Sequence, residues 1–334
     1  MFPDSSWSGT DVAAPAGPDA GELAGNGTFT GPSRHAALFY QGPGAYLPAL
    51  SRVITASRAR GDALFIAVPG DRVPLVRGML GAGSVNVTLA DMTELGRNPA
   101  RIIPALLTYA GEHRGQRACY IAEPVWPGRT AAELLEVTKH EALVNLAFQD
   151  SPVTVICPYD TAALPGSVID EAASTHPVVL QDQHEKASDR YRGPDLPPRC
   201  KRPLPRPPAD AEALGYSNDL HPVRSFVASW AERAGLTRER VTDLVLAISE
   251  LAANTLDHTI GGGTVQAWQT TEEIICQVAD SGRITDPLAR HRLPPHDRPD
   301  GRGLWLVNQV CDLVQARTGR TGTTTRLHMR LDYR

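Results

Sequence analysis

The feature that most constrains this chain is a cluster of prolines beyond its midpoint. Seven prolines fall between Pro194 and Pro208. Proline has a fixed φ and no backbone N–H, so it is excluded from helix interiors and from central strands. Proline-rich segments favour extended polyproline II geometry and act as semi-stiff spacers. We therefore expect a linker at residues 186–210 that joins two domains.

The sequence before this linker alternates between short apolar segments and longer amphipathic segments. Short apolar runs of strand length, such as "ALFIAVP" (residues 63–69) and "PVTVICPYD" (residues 152–160), are separated by longer amphipathic segments such as "TAAELLEVTKHEALVNLAFQD". Strands alternating with helices are typical of a parallel α/β sheet. We predict an α/β domain at residues 34–185. Residues 1–33, rich in Gly, Ala, Ser, Pro and Asp, are expected to form a disordered tail.

The sequence after the linker has a different order. Two helical segments come first, "LHPVRSFVASWAERAGL" and "TRERVTDLVLAISELAANTLDHT". A GGG turn, a predicted hairpin "TVQAWQTTEEIICQVADSG", a predicted helix "GLWLVNQVCDLVQART" and a last strand "TTTRLHMRL" follow. Helices on one face of an antiparallel or mixed sheet make an α+β fold. We place this domain at residues 211–334.

Composition narrows the class of protein. The net charge is −4 and the isoelectric point about 6.2, which gives no electrostatic reason to expect direct nucleic-acid binding. The five cysteines are scattered and form no CxxC pair, so neither a disulfide framework nor a structural zinc site is expected. We find no signal peptide and no apolar run long enough to cross a membrane. The expectation is a cytoplasmic protein with no membrane contact.

The stretch "ISELAANTLDH" carries the first functional signal. On a helix, Glu250, Asn254 and His258 share one face because they are four residues apart. An amide oxygen can hold a hard cation such as Mg²⁺. A carboxylate one turn away can orient or deprotonate a nucleophile. A solvated helix face is the alternative that this stretch alone leaves open.

Two further motifs favour a nucleotide site. Asp280 ends an apolar strand in "VADSG", where a carboxylate could accept the exocyclic amine of adenine beside Gly282. "PDGRGLWLV" places Gly301 and Gly303 directly before a predicted helix, whose first N–H groups bind phosphate. Each motif alone is common in ordinary turns. Their occurrence in this order is a much stronger indication.

Residues 215–331 resemble the GHKL-type ATP-binding fold, and within it the bacterial anti-sigma-factor serine/threonine kinases. The resemblance rests on "SELAANTLDH", "DSG" and "DGRGLWLV". It implies ATP and Mg²⁺ as cofactors, Glu250 as general base and Asn254 as the Mg²⁺ ligand. Further ATP-binding positions implied by the resemblance are His258, Asp280, Gly282, Gly301, Arg302, Gly303 and Thr324; adjacent threonines leave the register of Thr324 open, and helix-end packing is an equal alternative for His258.

The same resemblance implies the partners. A kinase of this family would sequester a sigma factor and phosphorylate a Ser or Thr of an anti-anti-sigma protein of the STAS type. No helical hairpin with a phosphoacceptor His precedes these motifs, so a complete histidine kinase is not expected. Two alternatives stay open: an ATP-binding interaction module without catalysis, and a signalling ATPase or kinase that works with a separate phosphoacceptor protein. A homodimer is also open.

The N-terminal half resembles the MEDS sensory domain. The resemblance lies in "RHAALFYQGPGAYLPALSRVITASRARGDALFIAVP", "AEPVWPGRTAAELLEVTKHEALVNLAF" and "VICPYD". It implies a RecA-like fold and an unidentified small-molecule ligand that controls the C-terminal half. "VPGDRVPLVRG" lacks the Lys and Ser/Thr of a phosphate-binding loop, so nucleotide hydrolysis is not expected here.

Sensory-ligand candidates in this half are polar or aromatic residues near predicted strand ends or on the long helix. They are His35, Tyr40, Glu123, Trp126, His140, Glu141, Cys157 and Tyr159. Packing or helix bracing is the alternative for each. His35, His140 and Cys157 together hint at a metal, although their spacing matches no known motif.

Overall fold

A computed structural model describes residues 33–81, 87–182, 184–292 and 302–331. The predicted tail therefore lies outside the described residues apart from Ser33. The chain forms two compact units. The first contains the described residues up to Leu95, together with Tyr109–Arg129 and Val144–Pro194. The second contains Gly96–Thr108, Thr130–Leu143 and the chain from Asp195 onward.

The first unit is built on a seven-stranded sheet in the order β3-β2-β4-β5-β1-β6-β7. All neighbouring pairs are parallel except β6 and β7. The strands are β1 (Arg34–Tyr40), β2 (Ala63–Val68), β3 (Val87–Asp91), β4 (Ala118–Ala122), β5 (Val153–Asp160), β6 (Val178–Gln181) and β7 (His184–Ala187). The helices introduced along this part of the chain are α1 (Pro43–Ala59), α2 (Val73–Leu80), α3 (Met92–Leu95), α4 (Ile102–Glu112), α5 (Ala131–Ala147) and α6 (Gly166–Thr175).

The central strands are buried along their whole length. Every residue of β2, β4 and β5 is buried, as expected for parallel strands covered on both faces. The edge strand β7 reads His-Glu-Lys-Ala and is exposed throughout. Charged side chains on an edge strand disfavour pairing with another chain. The predicted parallel α/β architecture is confirmed, with an antiparallel strand at one edge.

The second unit is built on a five-stranded antiparallel sheet in the order β11-β12-β10-β9-β8. Its strands are β8 (Glu212–Tyr216), β9 (Gly263–Gln269), β10 (Glu273–Asp280), β11 (Leu313–Gly319) and β12 (Gly322–Arg330), and its helices from the C-terminal part are α7 (His221–Arg233), α8 (Arg238–His258) and α9 (Gly303–Val310). The helices and sheet share one apolar core that includes Val227, Leu244, Ile248, Cys276 and Leu327. The predicted α+β arrangement is confirmed.

The prediction of one helix over residues 303–318 is wrong. α9 ends at Val310, and Leu313–Gly319 forms β11, which pairs with β12. Asp312 fixes the break, because its backbone N–H donates to His328 O at 3.0 Å and its carboxylate accepts the Arg330 N–H at 2.7 Å. The alternation of apolar Val314 and Ala316 with polar residues was the local signal for a strand.

Part of the proline-rich segment is packed rather than free. A short 3₁₀ helix, Pro198–Lys201, buries Cys200 to 2% exposure. Arg326 of β12 donates to Pro205 O at 2.6 Å. Exposed residues flank these contacts and also lie between them, at Lys201, Arg202 and Pro203. Among the described helices, none combines the length and apolar character that crossing a membrane requires.

Candidate functional site

Helix α8 carries the first side chains of the candidate site. It begins after Thr237, whose hydroxyl accepts the Arg240 N–H at 3.4 Å and so caps the helix. Its apolar stripe, which includes Leu244 and Ile248, is buried in the core of the second unit. The neighbouring face then presents Glu250 and Asn254, one turn apart and half-buried. His258 lies exposed in the last turn.

Asp280, the last residue of β10, is held by both its oxygens. Its Oδ1 accepts the Gly282 N–H at 2.7 Å, and its Oδ2 accepts the Thr255 hydroxyl at 3.1 Å. Thr255 lies on α8, one residue after Asn254. The strand end and the helix are therefore fixed to each other, and the carboxylate has a defined orientation. Each oxygen retains a second lone pair that can accept from a ligand.

At two glycines of the motifs, a side chain would force a neighbouring side chain to move. A Cβ at Gly303, the first residue of α9, would lie 2.4 Å from Glu250 Oε2. A Cβ at Gly282 would lie 2.8 Å from Thr259 Cγ2 and 2.9 Å from Asp280 Oδ1. The start of α9 thus lies against the Glu250 carboxylate. Arg302, directly before α9, is exposed, and Gly301 lies outside the described residues.

The register of the last two strands settles which threonine shares the Asp280 face. Thr323 lies opposite Asp280 in the β10–β12 ladder, whereas Thr324 lies opposite Ala279. Directly opposed residues point to the same face of a sheet. The Thr323 hydroxyl donates to Gly282 O at 2.9 Å and bonds the Thr318 hydroxyl at 2.9 Å. Thr323, one residue before the predicted Thr324, is therefore the member of the cluster around Asp280.

The side chain of Asn254 is compatible with a bound Mg-ATP. The Asn254 side-chain nitrogen is buried and has no hydrogen-bond partner among the described residues. Buried polar groups are almost always hydrogen-bonded to protein, water or a ligand, so this nitrogen has room for a partner that the described residues do not supply. Rotating the amide by half a turn would present its oxygen instead, the donor type that Mg²⁺ takes.

Asn308 of α9 bonds to Arg290, which lies in the segment between the DSG and DGRG motifs. Its Nδ2 donates to Arg290 O at 2.9 Å, and Asn308 is 1% exposed. Asn98 donates to Asn308 O at 3.0 Å, and Arg101 Nε donates to the same carbonyl at 2.9 Å. A cation at a helix C-terminus stabilises the helix through its terminal carbonyls. Residues far apart in sequence, within one unit, therefore fix both α9 and the segment around Arg290.

A cavity of about 240 Å³ lies in the second unit. Its lining includes Thr318, which bonds Thr323, and an excess of basic groups: Lys139, His140, Lys201, Arg290, His291 and Arg317, with Glu136 as the acidic member. Burial lowers the pKa of Lys139 to about 8 and that of Arg290 to about 10. Burial also holds the pKa of His291 well below its usual value. A lowered pKa means that burial disfavours the charged form of each group, so His291 is neutral at pH 7.

In the first unit, the predicted candidates Tyr40 and Glu123 meet at the carboxyl ends of the parallel strands. Tyr40 and Tyr46 donate to Glu123 at 3.3 and 3.0 Å, and Arg72 forms an ion pair with it. Arg72 also lies over the Tyr46 ring, 4.4 Å from its centroid. Burial raises the pKa of Glu123 to about 7, against the opposing effect of Arg72. Tyr46 and Arg72 were missed in the sequence because neither ends a strand.

The other candidates of this half do not join that cluster in the described contacts. Trp126 stacks under Arg129, with the guanidinium carbon 3.7 Å from the ring centroid. Tyr159 packs edge-on against Phe39. His35 and Cys157 lie together, with Nε2 3.6 Å from Sγ. His140 and Glu141 belong to the part of α5 in the second unit, so His140 is not in the same unit as His35 and Cys157.

Comparison with known proteins gives two family matches and one curated relative. Residues 34–177 match the model for MEDS, the "MEthanogen/methylotroph, DcmR Sensory domain", and residues 217–329 match the "Histidine kinase-like ATPase domain". The "Serine-protein kinase RsbW" of Halalkalibacterium halodurans is 32% identical over 122 residues, which cover 32% of this chain and 70% of that protein.

A solved structure of an ATPase domain is similar at a TM-score of 0.31 and 9% identity, over 45% of this chain and 69% of that chain.

Proposed function

Because this chain belongs to the family of anti-sigma-factor serine/threonine kinases with a histidine-kinase-like ATPase domain, here with an N-terminal MEDS domain, we propose that it is an ATP-dependent protein kinase that acts on a Ser or Thr. Its substrate is an antagonist protein of the STAS type, and the kinase domain also sequesters a sigma factor. The MEDS domain controls that activity in response to a small molecule.

The observation that carries this proposal is the position of Glu250. Its carboxylate lies beside Gly303 at the start of α9, and Asn254 lies one turn further along α8. Amide N–H groups at the first turn of a helix attract phosphate oxygens. In the proposed reaction, Glu250 takes the proton from a Ser or Thr hydroxyl. The hydroxyl oxygen bonds to the γ-phosphorus of ATP as the bond from that phosphorus to the β-γ bridging oxygen breaks. ADP and a phosphorylated side chain are the products.

The remaining residues bind and orient the nucleotide. Asp280 accepts the adenine amine, and Thr323 and Gly282 line the same strand end. Asn254 would hold Mg²⁺, which supplies charge neutralisation to the phosphates when bound. Arg302 and the glycines beside it frame the phosphates, and His258 lies at the end of the same helix face.

The contacts that fix the last turn of α9 are a place where the activity of this site could be changed. Asn98 and Arg101 precede the linker in sequence but belong to the second unit, where they bond the Asn308 carbonyl of α9, and α9 begins beside Glu250. A change in those contacts would alter the position of α9. A sensory ligand can shift activity only by its difference in affinity between two states. Coupling of this type is typically about 5- to 150-fold.

The test uses the full chain, γ-labelled ATP and candidate STAS-type proteins, with three variants. Glu250→Gln is expected to keep ATP binding and lose transfer by about 100- to 10,000-fold. Glu239→Gln, in the exposed first turn of the same helix, is the matched control and should transfer at the parental rate. Arg101→Ala should change the transfer rate several-fold without removing a catalytic group.

The same assay separates the proposed kinase from an ATP-binding module without catalysis. A non-catalytic module would bind ATP and transfer no label to any antagonist, whether or not Glu250 is present. That outcome would retain the nucleotide site and refute the kinase.

We further infer that the first unit has a RecA-like fold that does not bind ATP. The strand order and parallel pairing support the first part. The β1–α1 connection supports the second, because Gly42 donates its N–H to Asp160 at 2.9 Å and Pro43 begins the helix. Calorimetry of the full chain should therefore give one ATP per chain, and two would contradict this inference.

A further inference from the structure

Three buried side chains of the first unit point their donor atoms at one another. His35 lies on β1, Cys157 on the adjacent strand β5, and His176 directly after α6. They are 5%, 1% and 0% exposed. The Cys157 Sγ, one ring nitrogen of His35 and one of His176 all lie within 4.8 Å of one another. His176 is the member that the sequence did not reveal.

The hydrogen bonds fix which nitrogen of each histidine faces the cluster. Asn145 Nδ2 donates to Thr175 O at 2.8 Å, which orients the amide so that its Oδ1 accepts from His35 Nδ1 at 3.1 Å. His176 Nδ1 donates to Ala172 O at 2.7 Å. Since Nδ1 carries the proton in both rings, the lone pair of each neutral imidazole lies on Nε2. A metal-binding histidine typically donates its other N–H to an oxygen in this way.

The spacing of the donors suits a tetrahedral ion. Zinc bonds of about 2.3 Å to sulfur and about 2.05 Å to nitrogen, at a tetrahedral angle, place the two donors about 3.6 Å apart. The observed separation of Cys157 Sγ and His35 Nε2 is 3.6 Å. The two imidazoles are tilted by 42° with centroids 4.0 Å apart, so the rings would separate by about 1 Å when both Nε2 atoms bind one tetrahedral ion.

The donor types select the metal. One thiolate and two imidazoles suit Zn²⁺ and disfavour Mg²⁺ and Ca²⁺, which prefer oxygen. We propose that His35, Cys157 and His176 form a zinc-binding site inside the MEDS domain, with Asn145 as a positioning residue. The site is separate from the nucleotide site and does not depend on the kinase assignment. A tetrahedral ion takes four ligands, so the fourth donor comes from outside these three residues.

The test measures zinc binding by the full-length chain after chelator treatment. Competition with a chromophoric chelator should give one Zn²⁺ per chain at this site. Co²⁺ in place of Zn²⁺ should give a thiolate-to-cobalt charge-transfer absorption. Cys157→Ser should abolish that absorption and weaken zinc binding at least about tenfold. Cys119→Ser removes another buried thiol of the same sheet and should leave both unchanged.

Two further results keep the proposal testable if Cys157→Ser does not fold. Asn145→Ala keeps all three donors but loses the bond that orients His35, so it should weaken zinc binding by about 10- to 100-fold. The wild-type cobalt spectrum needs no variant. Lack of a thiolate band in the wild type, or a band that persists in Cys157→Ser, would overturn the proposal. It would leave Cys157 and His35 as an ordinary thiol–imidazole hydrogen bond.

Discussion

Replacing Asp280 by Asn should weaken ATP binding strongly while changing the stability of the fold only slightly. In the folded protein Oδ1 of Asp280 accepts the Gly282 N–H at 2.7 Å and Oδ2 accepts the Thr255 hydroxyl at 3.1 Å. An asparagine side chain can keep the first bond through its own oxygen. Its NH₂ group would then face Thr255, whose hydroxyl can donate instead to Leu251 O, 3.1 Å away, and accept from the amide. We therefore expect a loss of unfolding free energy of about 1 kcal/mol or less.

Binding of ATP should change much more. The adenine amine is a hydrogen-bond donor. The side-chain NH₂ introduced by Asp280→Asn is also a donor and would face the adenine amine in place of the carboxylate oxygen. Loss of a hydrogen bond to a charged acceptor costs about 1.5–3 kcal/mol, which corresponds to a rise in Kd of about 10- to 150-fold. Titration calorimetry with Mg-ATP measures the Kd, and thermal unfolding without nucleotide measures the stability.

Asp257→Asn is the matched control for this prediction. Asp257 is exposed on α8, the helix that carries Thr255. Its replacement by Asn removes the same charge without changing Asp280 at the end of β10. The Kd of this control should stay within about twofold of the parental value, since exposed charges contribute little. If Asp280→Asn is folded and binds ATP as tightly as the parent, Asp280 does not contact adenine and the orientation of the nucleotide proposed above is wrong.

Three other outcomes follow. Gly303→Ala should lower transfer at least about tenfold in the labelled-ATP assay, because its Cβ would lie 2.4 Å from Glu250 Oε2 and must displace that carboxylate; parental activity would mean that the position of Glu250 is not critical. Burial raises the pKa of Glu123 from 4.5 to about 7, so between these pH values the folded protein keeps a proton that the unfolded chain loses. The free energy of unfolding should therefore fall by about 3 kcal/mol as the pH rises through that range. Urea unfolding measures this fall, and Glu123→Gln should remove most of it. Limited proteolysis should cut near Asp195 and Asp210 and spare the buried Cys200; first cleavage at Cys200 would contradict the packing described for the proline-rich segment.

The elements with strong local signals were predictable from sequence. α8 has a capping Thr, a regular apolar stripe and a clear end, and its bounds match the predicted helix within a few residues. The buried strands β2 and β5 are apolar runs of strand length. These patterns arise from residues close together in the chain, so a single sequence is enough to predict the helix or strand.

Most of the features that were missed depend on contacts between residues distant in sequence. β11 is an exception: it was read as part of a helix although Val314 and Ala316 alternate with polar residues and β12 follows directly as its hairpin partner. His176 joins His35 and Cys157 only because β6 returns beside β1 in the sheet. Asn98 and Arg101 meet α9 across more than 200 residues of chain, and nothing in their local sequence indicates that contact.

The proposed kinase is tested most directly by the chemical identity of the residue that receives phosphate. The full chain is incubated with Mg-ATP and a STAS-type antagonist, and the antagonist is analysed by mass spectrometry after acid treatment. The account predicts one acid-stable phosphate on a Ser or Thr, absent with Glu250→Gln. An acid-labile phosphate on His, or ATP binding without phosphate on any antagonist, would contradict it.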